Sequence, residues 1–436
     1  MKNDAASAAI SIFRQAVAAV QPQHLIPRQV QVQHNGLWIS GKFFPLKSHS
    51  RIFVTGAGKA AAAMAQALEA LEMPYALQGL VITKYEHALP LQHIQVAEAG
   101  HPVPDHNGVL ATGQMLELLA AVTPDDLVLF LLSGGASALL IDYPPGSGLE
   151  DVQALFDLLL KSGATIHEMN TVRKHVSAVK GGQLALKVCP ATLCTLILSD
   201  VVGDDLDVIG SGPTVPDPST FADTWDILEK YQLLQKIPAA IHAYLQQGVN
   251  GMVAETPKPG APGFRTTRNY LVGTNRIALQ AAVQYATAQG YHTTLLSSEV
   301  TGNAQTLAQA LAQQAIRWNG PRPACLLMGG ESTVVVTGQG LGGRNQQLAL
   351  AAGITLQAHP HITLLSAGTD GTDGPTDAAG AVVNAAIMQK AAALGLQPQA
   401  YLANNDAYHF FAAAGGLIKT GPTQTNVMDV MIAIIN

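Results

Sequence analysis

Apolar residues along this chain occur in two kinds of segment: short continuous runs, and longer runs with helical spacing. The short runs, such as residues 127–132, have no polar alternation, which is typical of strands buried on both faces of a sheet. The two kinds alternate through most of the chain, and this order favours parallel sheets in an α/β architecture. Strands are predicted over residues 51–55, 80–83, 127–132, 192–198, 270–273, 293–297, 324–328, 333–337 and 362–366.

The segments with helical spacing follow these strands. Residues 249–265 interrupt the rhythm with three prolines and three glycines, a composition typical of linkers. The sequence therefore predicts an N-terminal domain over residues 1–248, a linker over 249–265 and a C-terminal domain over 266–436. Helices are predicted over residues 59–71, 107–121, 149–162, 224–231, 275–289, 303–318, 344–356 and 384–394.

Composition narrows the class of protein. The 436 residues are 48% hydrophobic and only 12% charged, which is enough apolar material for large cores. The net charge of −6 argues against a nucleic-acid partner, and the longest aliphatic and aromatic run is too short for a membrane span. The N-terminal segment, with an early Asp4, predicts an amphipathic helix and not a secretory signal. A soluble, cytoplasmic protein with reduced cysteines is expected.

The glycine turn that follows the strand from residue 51 suggests an anion site. Gly56 and Gly58 permit a tight turn, and Lys59 stands at the start of the next helix, where a bound anion would explain it. A dinucleotide enzyme would place an acid at the end of the following strand, but that strand ends in Lys84 and the first acid is Glu86. The spacing also misses the triphosphate-loop pattern. An anion site and a plain structural turn both remain open.

Other glycine-rich loops follow buried strands. Ser133, Gly134, Gly135 and Ser137 combine adjacent glycines with hydroxyls, a composition suited to a phosphate or an oxyanion. Further along, cations precede a glycine pair in a chain that has few charges, which suits an anionic substrate. Those cations include Arg173 and Lys180.

Two loops carry acids directly after predicted strands. Asp200 and Asp205 lie in the first, and Asp370 and Asp373 in the second. Carboxylates at strand ends can hold Mg²⁺ together with substrate phosphates. For the second loop, a series of Asx turns is the structural alternative.

Six stretches together resemble the MOFRL-type glycerate kinases, the glycerate 2-kinase family. The resemblance runs from Gly56 to about Phe411, nearly the whole chain. It implies two α/β domains with mainly parallel sheets flanked by helices, and an active site in the cleft between them. It also implies transfer of the γ-phosphoryl of ATP to D-glycerate, giving 2-phosphoglycerate, with Mg²⁺. The stretches are GAGKAA, SGGAS, NTVRKHVSAVKGG, LSDVVGDDLDVIGSGPTVPDPST, GGEST with GLGGRNQQLALA, and AGTDGTDGPTDAAGA.

The resemblance implies central catalytic roles for Lys59 and Arg344. Arg344 begins a predicted helix, and its five N–H donors could hold a carboxylate or phosphate bidentately. Asp200 is the first candidate to accept the proton of the C2 hydroxyl, and Asp373 is the second. ATP is expected at Gly56, Gly58, Ser133, Gly134, Gly135, Ser137, Lys180 and Gly212. Glycerate is expected at Arg173, Glu331, Asn345, Asp370 and Asp373, and Mg²⁺ at Asp200 and Asp205.

Two other functions remain as alternatives. An NAD(P)H-dependent hydroxypyruvate reductase would use the first glycine turn, but it lacks the expected acid after the next strand. A phosphosugar-binding or isomerase-like protein would leave Arg344 and both acidic loops unexplained. As a kinase, the protein is expected to bind only small molecules, without nucleic acid or membrane, as a monomer or homodimer.

Overall fold

The continuous apolar runs form the strands of two six-stranded sheets in the computed structural model, which describes residues 5–436. A separate, smaller sheet has three antiparallel strands. The strands are β1 (Val30–Gln33), β2 (Gly36–Ile39), β3 (Lys42–Pro45), β4 (Arg51–Ala57), β5 (Ala76–Lys84), β6 (Ile94–Ala99), β7 (Leu127–Ser133), β8 (Thr192–Leu198), β9 (Thr267–Gly273), β10 (His292–Asn303), β11 (Ala324–Thr333), β12 (Ile362–Gly368), β13 (Gly380–Val383), β14 (Leu417–Ile418) and β15 (Asp429–Ile435).

Helices connect most of these strands, and two short 3₁₀ helices occur at Ile209–Ser211 and Pro262–Thr266. No helix within residues 5–436 is long and apolar enough to cross a membrane. The α-helices are α1 (Ala5–Ala19), α2 (Pro22–Gln29), α3 (Ala61–Glu69), α4 (His106–Leu119), α5 (Ala136–Leu139), α6 (Leu149–Ser162), α7 (Ile166–His175), α8 (Gln183–Val188), α9 (Phe221–Lys230), α10 (Ala239–Val249), α11 (Asn275–Ala288), α12 (Ala304–Ile316), α13 (Arg344–Leu356), α14 (Ala385–Ala393), α15 (Pro398–Ala403) and α16 (Ala407–Ala414).

Residues Leu25–Val272 form one compact unit around the sheet β6-β5-β4-β7-β8-β9. The pairs β6–β5, β5–β4, β4–β7 and β7–β8 are all parallel. Strand β7 is buried along its whole length, and β4 and β8 are buried except at their first residues, as their unbroken apolar sequences predict. Parallel strands bring their carboxyl ends to one edge of the sheet, so the loops after β4, β7 and β8 meet there.

The second unit contains the described residues up to His24 and residues 273–436. Its sheet has the order β10-β11-β15-β12-β13-β14. Among the described residues of this sheet, β10 and β11 pair in parallel, and the other four neighbouring pairs are antiparallel. The predicted α/β class is therefore confirmed, but the expectation of mainly parallel sheets is wrong for this unit. Strand β15, which is fully buried between β11 and β12, runs antiparallel to both, and β13 runs antiparallel to β12 and β14.

The unit boundaries differ from the predicted domains, because α1 packs with the C-terminal part of the chain. The predicted helix at the N-terminus is present, although Asp4 lies outside the described residues. Its apolar face lies against α11 and β12. Beyond its end, Thr425 donates from Oγ1 to the carbonyl of Val20 at 2.7 Å, and Gln21 donates from Nε2 to the carbonyl of Thr423 at 3.1 Å.

The segment 249–265, predicted as a linker, instead belongs to the unit Leu25–Val272. Thr256 donates from Oγ1 to the buried Asp217 carboxylate at 2.9 Å, and the backbone N–H of Asp217 donates to the carbonyl of Pro257 at 2.9 Å. The carboxylate of Glu255 accepts from the N–H of Phe221, at the start of α9. These side chains bind the proline-rich segment to the body of the unit, which composition alone did not indicate.

The strand predicted over residues 333–337 is wrong. Strand β11 continues to Thr333 and ends there, and Val335 and Val336 are highly exposed. The backbone N–H groups of Thr337 and Gly338 donate to the side chain of Asn405, at 2.8 and 2.9 Å, and not to a neighbouring strand. Three consecutive valines between two threonines suggested a strand, but the backbone N–H groups of Thr337 and Gly338 donate to a side chain.

The sheet of the unit Leu25–Val272 depends on a glycine in β4. A Cβ atom added at Gly56 would lie 2.2 Å from the carbonyl oxygen of Leu131 on β7, which is an impossible contact. Gly56→Ala should therefore lower the free energy of unfolding by about 1–3 kcal/mol, the usual cost of overpacking. Denaturant titration followed by circular dichroism measures this.

Gly113 is the matched control for that substitution. It is exposed within α4, and an added Cβ atom would meet nothing within 4 Å. Gly113→Ala should raise the free energy of unfolding by up to about 1 kcal/mol, because glycine is a poor helix former. Equal stability of the two variants would contradict the proposed constraint at Gly56.

Candidate active site

The loop after β4 is joined to the loop after β7 by its backbone. The N–H of Lys59 donates to the carbonyl of Gly134 at 2.9 Å, and the N–H of Ala60 donates to Oγ of Ser133 at 3.1 Å. The N–H of Gly58 donates to the carbonyl of Ile82 at 3.0 Å. The hydroxyl of Ser133 thus accepts from this loop and keeps its own O–H as a donor, so its predicted role in phosphate binding stays a prediction.

Gly56 and Gly58 permit this close packing of the two loops. A Cβ atom on Gly58 would lie 2.1 Å from Oγ of Ser133, and its φ of +139° is one that other residues rarely adopt. The N–H groups from Gly58 to Ala61 all donate within the protein. These four N–H groups are therefore not free for an anion, and the predicted contacts of Gly56 and Gly58 with ATP stay predictions.

The side chain of Lys59 remains available to a ligand. It is half-buried, and within the described residues its ammonium group has no ion pair or hydrogen bond. A Cβ atom on Gly135 would lie 3.3 Å from Cγ of Lys59 and 3.1 Å from Nε2 of His101, so Gly135 adjoins both side chains. Sequence reasoning predicted Lys59 and Gly135 here but missed His101.

His101 is held in its neutral form. Burial, together with the nearby charges of Lys59 and Lys84, lowers the pKa of His101 to about 4. A neutral imidazole offers one donor and one acceptor to a ligand without adding a second charge. The sequence signal that could have identified it is its position in a short glycine- and proline-rich stretch after β6.

Asp200 lies against the same glycine loop. It follows β8, and a Cβ atom on Gly134 would lie 1.8 Å from its Oδ2. Glycine is therefore required at position 134 for this carboxylate to approach the loop. The structure thus brings together three predicted elements: the Lys59 turn, the loop 133–137 and Asp200.

Asp205 belongs to a different group of ligands. Oxygens of Asp205 and Asp207 and a ring nitrogen of His167 lie within 4.8 Å of one another, and Asp200 is not a member of this group. Asp207 also accepts from Nζ of Lys174 at 2.7 Å. The predicted sharing of one Mg²⁺ by Asp200 and Asp205 receives no support from this arrangement.

Two residues predicted to contact ATP have structural partners instead. Lys180 is completely buried and donates to the carbonyl of Leu140, and burial lowers its pKa to about 8. Gly212 ends the 3₁₀ helix at Ile209–Ser211 with a φ of +61°, and its carbonyl accepts from the N–H of Gly182. Lys180 thus binds the segment after α5 and Gly212 ends the 3₁₀ helix, and their predicted contacts with ATP stay predictions.

Arg173 lines a cavity beside this site. The cavity has a volume of about 640 Å³, and its walls include His101, Gly135 and Ser137. The guanidinium of Arg173 stacks 4.8 Å above the ring centroid of Phe156. Its Nε is buried without a hydrogen-bond partner among the described residues. Arg173 and Ser137 were both predicted site residues, and the cavity joins them to the Lys59 group.

In the second unit, Arg344 begins α13 and is held by two carboxylates. Nε and Nη2 donate to Asp429 at 2.8 and 3.0 Å, and Nη1 donates to Glu331 at 2.7 Å. Burial lowers the pKa of Arg344, but Asp429 and Glu331 more than offset this and hold it above its usual value. Asp429 already occupies one bidentate edge of this fork, so the predicted bidentate grip on a carboxylate or phosphate stays a prediction for the N–H groups that remain.

The start of α13 is closed by Asp373. Its buried carboxylate accepts from the N–H groups of Asn345 and Gln346, at 3.0 and 2.8 Å. The side chain of Asn345 donates to Asp373 and to Asp429 and accepts from Ser366. Asp373 and Asn345 were predicted to contact glycerate, and the structure instead makes them internal supports of the Arg344 site.

Asp370 lies at the same end of β12. A Cβ atom on Gly368 would be 3.2 Å from Oδ1 of Asp370 and 3.6 Å from Oδ1 of Asp429. Oδ1 of Asp370 accepts from the N–H of Thr372 at 3.0 Å, as in the Asx turn considered as its alternative. Sequence reasoning missed Asp429, although an acid directly before the apolar run of β15 was a readable signal.

The glycines before α13 serve close packing. Cβ atoms on Gly338 and Gly340 would lie within 2.3 Å of atoms of Asn404 and Asp406. The side chain of Asp406 accepts from the N–H of Leu341 at 2.9 Å. This glycine loop is therefore a support for α13 and leaves Arg344 as the ligand-facing candidate.

Comparison with known proteins assigns two segments of this chain to known families. Residues 8–246 match the model of a domain described only as a domain of unknown function, DUF4147, and residues 324–429 match the MOFRL family. Both matches fall on α/β segments that carry the two groups of residues described above.

Relatives with known names align with nearly the whole chain. A glycerate 2-kinase of Pyrococcus horikoshii is 38% identical over 434 residues, 98% of this chain and 96% of that protein. The crystal structure of a glycerate kinase of Thermotoga maritima superposes with a TM-score of 0.87 at 38% identity, covering 99% of each chain. An Agrobacterium vitis protein named as a hydroxypyruvate reductase is 40% identical, covering 97% of this chain and 93% of its own. The chain belongs to the glycerate kinase family.

The buried carboxylate of Asp373 predicts a pH dependence of stability. Burial raises its pKa from 3.8 to about 6, although N–H donors from Asn345 and Gln346 oppose this. The folded protein therefore keeps this proton to a higher pH than the unfolded chain. Its contribution to the free energy of unfolding falls as pH rises from about 4 to about 6, by on the order of 3 kcal/mol.

Asp373→Asn removes this titration. The stability difference between wild type and Asp373→Asn should therefore shift against wild type as pH rises through that window, as measured by denaturant titration at each pH. Asp377→Asn is the control, because Asp377 is an exposed acid of the same loop with a lowered pKa. Parallel pH profiles for wild type and Asp373→Asn would refute the assignment.

Proposed function

We propose that this protein phosphorylates D-glycerate with ATP and releases 2-phosphoglycerate and ADP. Full-length similarity to proteins named glycerate kinases supports the reaction class. The observation that carries the proposal is the ammonium group of Lys59. It has no internal partner among the described residues, and it lies beside neutral His101 and the Gly135 loop that Asp200 adjoins.

Lys59 is assigned to the transferring phosphoryl group. Phosphoryl transfer depends mainly on positioning and on neutralising charge, because the protein makes little covalent contribution. A lysine without an internal partner can place its whole charge on the phosphoryl oxygens as that charge spreads in the transition state. His101 stays neutral near pH 7, so it can donate or accept a hydrogen bond there without competing for the anion.

Asp200 is assigned to the hydroxyl of glycerate or to Mg²⁺. As a base, it would accept the proton of the C2 hydroxyl while the hydroxyl oxygen attacks the γ-phosphorus and the bond to the ADP oxygen breaks. As a ligand, it would supply one oxygen, and a single carboxylate with substrate phosphates is a usual Mg²⁺ environment. Bound Mg²⁺ would offset the charge of the triphosphate.

Arg344 is assigned to an anionic group of the substrates. Three of its five N–H groups donate to Asp429 and Glu331, which leaves two. These partners hold the guanidinium plane in one orientation, so the two remaining donors are directed before a ligand arrives. Glu331, Asn345 and Asp373 thereby act on the reaction through Arg344.

A coupled assay tests the reaction. ATP, Mg²⁺ and D-glycerate are supplied with enolase and pyruvate kinase, and phosphoglycerate mutase is omitted. Production of pyruvate is expected, because enolase accepts only the 2-phosphate. A signal that requires the mutase would mean that the 3-phosphate is made.

The rival reductase activity is measured in parallel. Two relatives carry that name, so oxidation of NADH by hydroxypyruvate must be tested. The structure argues against it, because β5 ends in Lys84 where a dinucleotide enzyme places an acid. Oxidation of NADH together with no kinase signal would overturn the proposed function.

Arg344→Lys tests the second group of residues. Lysine keeps the charge but loses the planar fork that Asp429 and Glu331 orient, so kcat/KM should fall by at least about 100-fold. Arg317→Lys is the matched control, because Arg317 is exposed at the end of α12. Thermal melting checks that both variants fold. Near-wild-type activity of Arg344→Lys would remove Arg344 from the mechanism.

A further inference from the structure

The cavity beside Lys59 has two chemically different ends. Its walls come from the loop after β6, the loop after β7, and helices α6 and α7. At one end Gly135 and His101 adjoin Lys59. The other end is formed by α6, whose residues there are mostly apolar or acidic.

The α6 end is apolar with acidic groups at its edge. Apolar side chains there and on the loop after β6 include Val103, Phe156 and Leu160, and both Val103 and Leu160 are unusually exposed for their type. Glu150 and Asp157 also line the cavity. The apolar surface favours a ring at this end.

The cavity is also too large for a three-carbon acid. Its volume of about 640 Å³ lies within the roughly 300–1,000 Å³ that is typical of sites for drug-sized ligands. A nucleoside triphosphate combines an apolar ring with a polyanionic tail. Such a molecule matches a cavity with apolar walls whose Gly135 and His101 end adjoins Lys59.

The walls offer partners for an aromatic base. The guanidinium of Arg173 lies over the ring of Phe156, and bases stack on aromatic rings and on guanidinium planes. Gln153 donates from Nε2 to the carbonyl of Pro104 at 2.7 Å, which fixes an amide whose oxygen is an acceptor. Carboxylate and amide oxygens accept hydrogen bonds from the exocyclic amine of a base.

We propose that this cavity binds the base of the nucleoside triphosphate between the loop after β6 and helix α6, with the phosphates directed towards Lys59. The inference rests on the proposed kinase function and adds the location of the nucleotide. It also moves Arg173 from the expected contact with glycerate to the wall of the base site.

Filling the cavity tests this assignment. Ala154 lines it from an exposed position of α6, so Ala154→Trp should obstruct the cavity without disturbing the core. Calorimetric titration without glycerate should show ATP binding weakened at least about 10-fold, or about 1.4 kcal/mol. Adenosine binding should be lost, whereas inorganic triphosphate, which has no base, should bind as it does to wild type.

Ala222→Trp provides the matched control. Ala222 is an exposed alanine in the first turn of α9 and does not line the cavity. It should leave ATP and adenosine binding unchanged. Ala154→Leu is a smaller obstruction and should give a smaller loss of ATP affinity, which keeps the test available if Ala154→Trp does not fold.

The outcomes separate this inference from the proposed function. Unchanged ATP affinity in folded Ala154→Trp or Ala154→Leu would overturn the base site, whether or not the enzyme is a kinase. A raised KM for glycerate with unchanged ATP affinity would assign the cavity to the acid and also overturn it. Weakened ATP binding in a protein that does not phosphorylate glycerate would support the base site and refute the proposed reaction.

Discussion

The close approach of three loops at the carboxyl ends of β4, β7 and β8 is the constraint on which the Lys59 site depends. Gly56, Gly58 and Gly134 each lie where a Cβ atom would overlap a neighbouring strand or carboxylate. Because these positions lack side chains, the N–H groups after β4 can donate to the loop after β7 and fix Lys59 above it. The glycines therefore act on the ligand indirectly, by setting the position of a cation.

The Arg344 site reaches a similar result by a different route. There the element that is held in place is the start of helix α13. Buried carboxylates hold it, whereas close contacts at glycines hold the turn that carries Lys59. Asp373 accepts from the start of α13, and Asp429 holds the guanidinium from β15. Charge buried in this way is costly unless every partner is present, so removing one acid should disturb the others. The site is consequently a cooperative unit and not a set of independent contacts.

Sequence reasoning predicted most of what depends on local pattern. The bounds of β8 were predicted as observed, and the α/β class followed from buried apolar runs. Strand β15 was missed because a single apolar run at the end of a chain does not reveal that it enters the middle of a sheet. The packing of α1 with the C-terminal unit was missed for the same reason, since both depend on contacts between distant parts of the chain.

Residue types at the sites were easier to predict than their tasks. Lys59, Asp200 and Arg344 were identified from their positions after strands or at helix starts, but the same logic assigned Asp373 to a ligand. A carboxylate after a strand reaches the start of a neighbouring helix as easily as it reaches a substrate, and sequence does not distinguish these. The distinction lies in which polar groups the protein has already satisfied. At the Lys59 turn the backbone N–H groups from Gly58 to Ala61 have hydrogen-bond partners within the protein, whereas the ammonium group of Lys59 has none among the described residues. Selection between ligands must therefore come from side chains. A site of that kind can place one charge at one point of a phosphoryl group, whereas an open row of backbone N–H groups would bind any polyphosphate along its length.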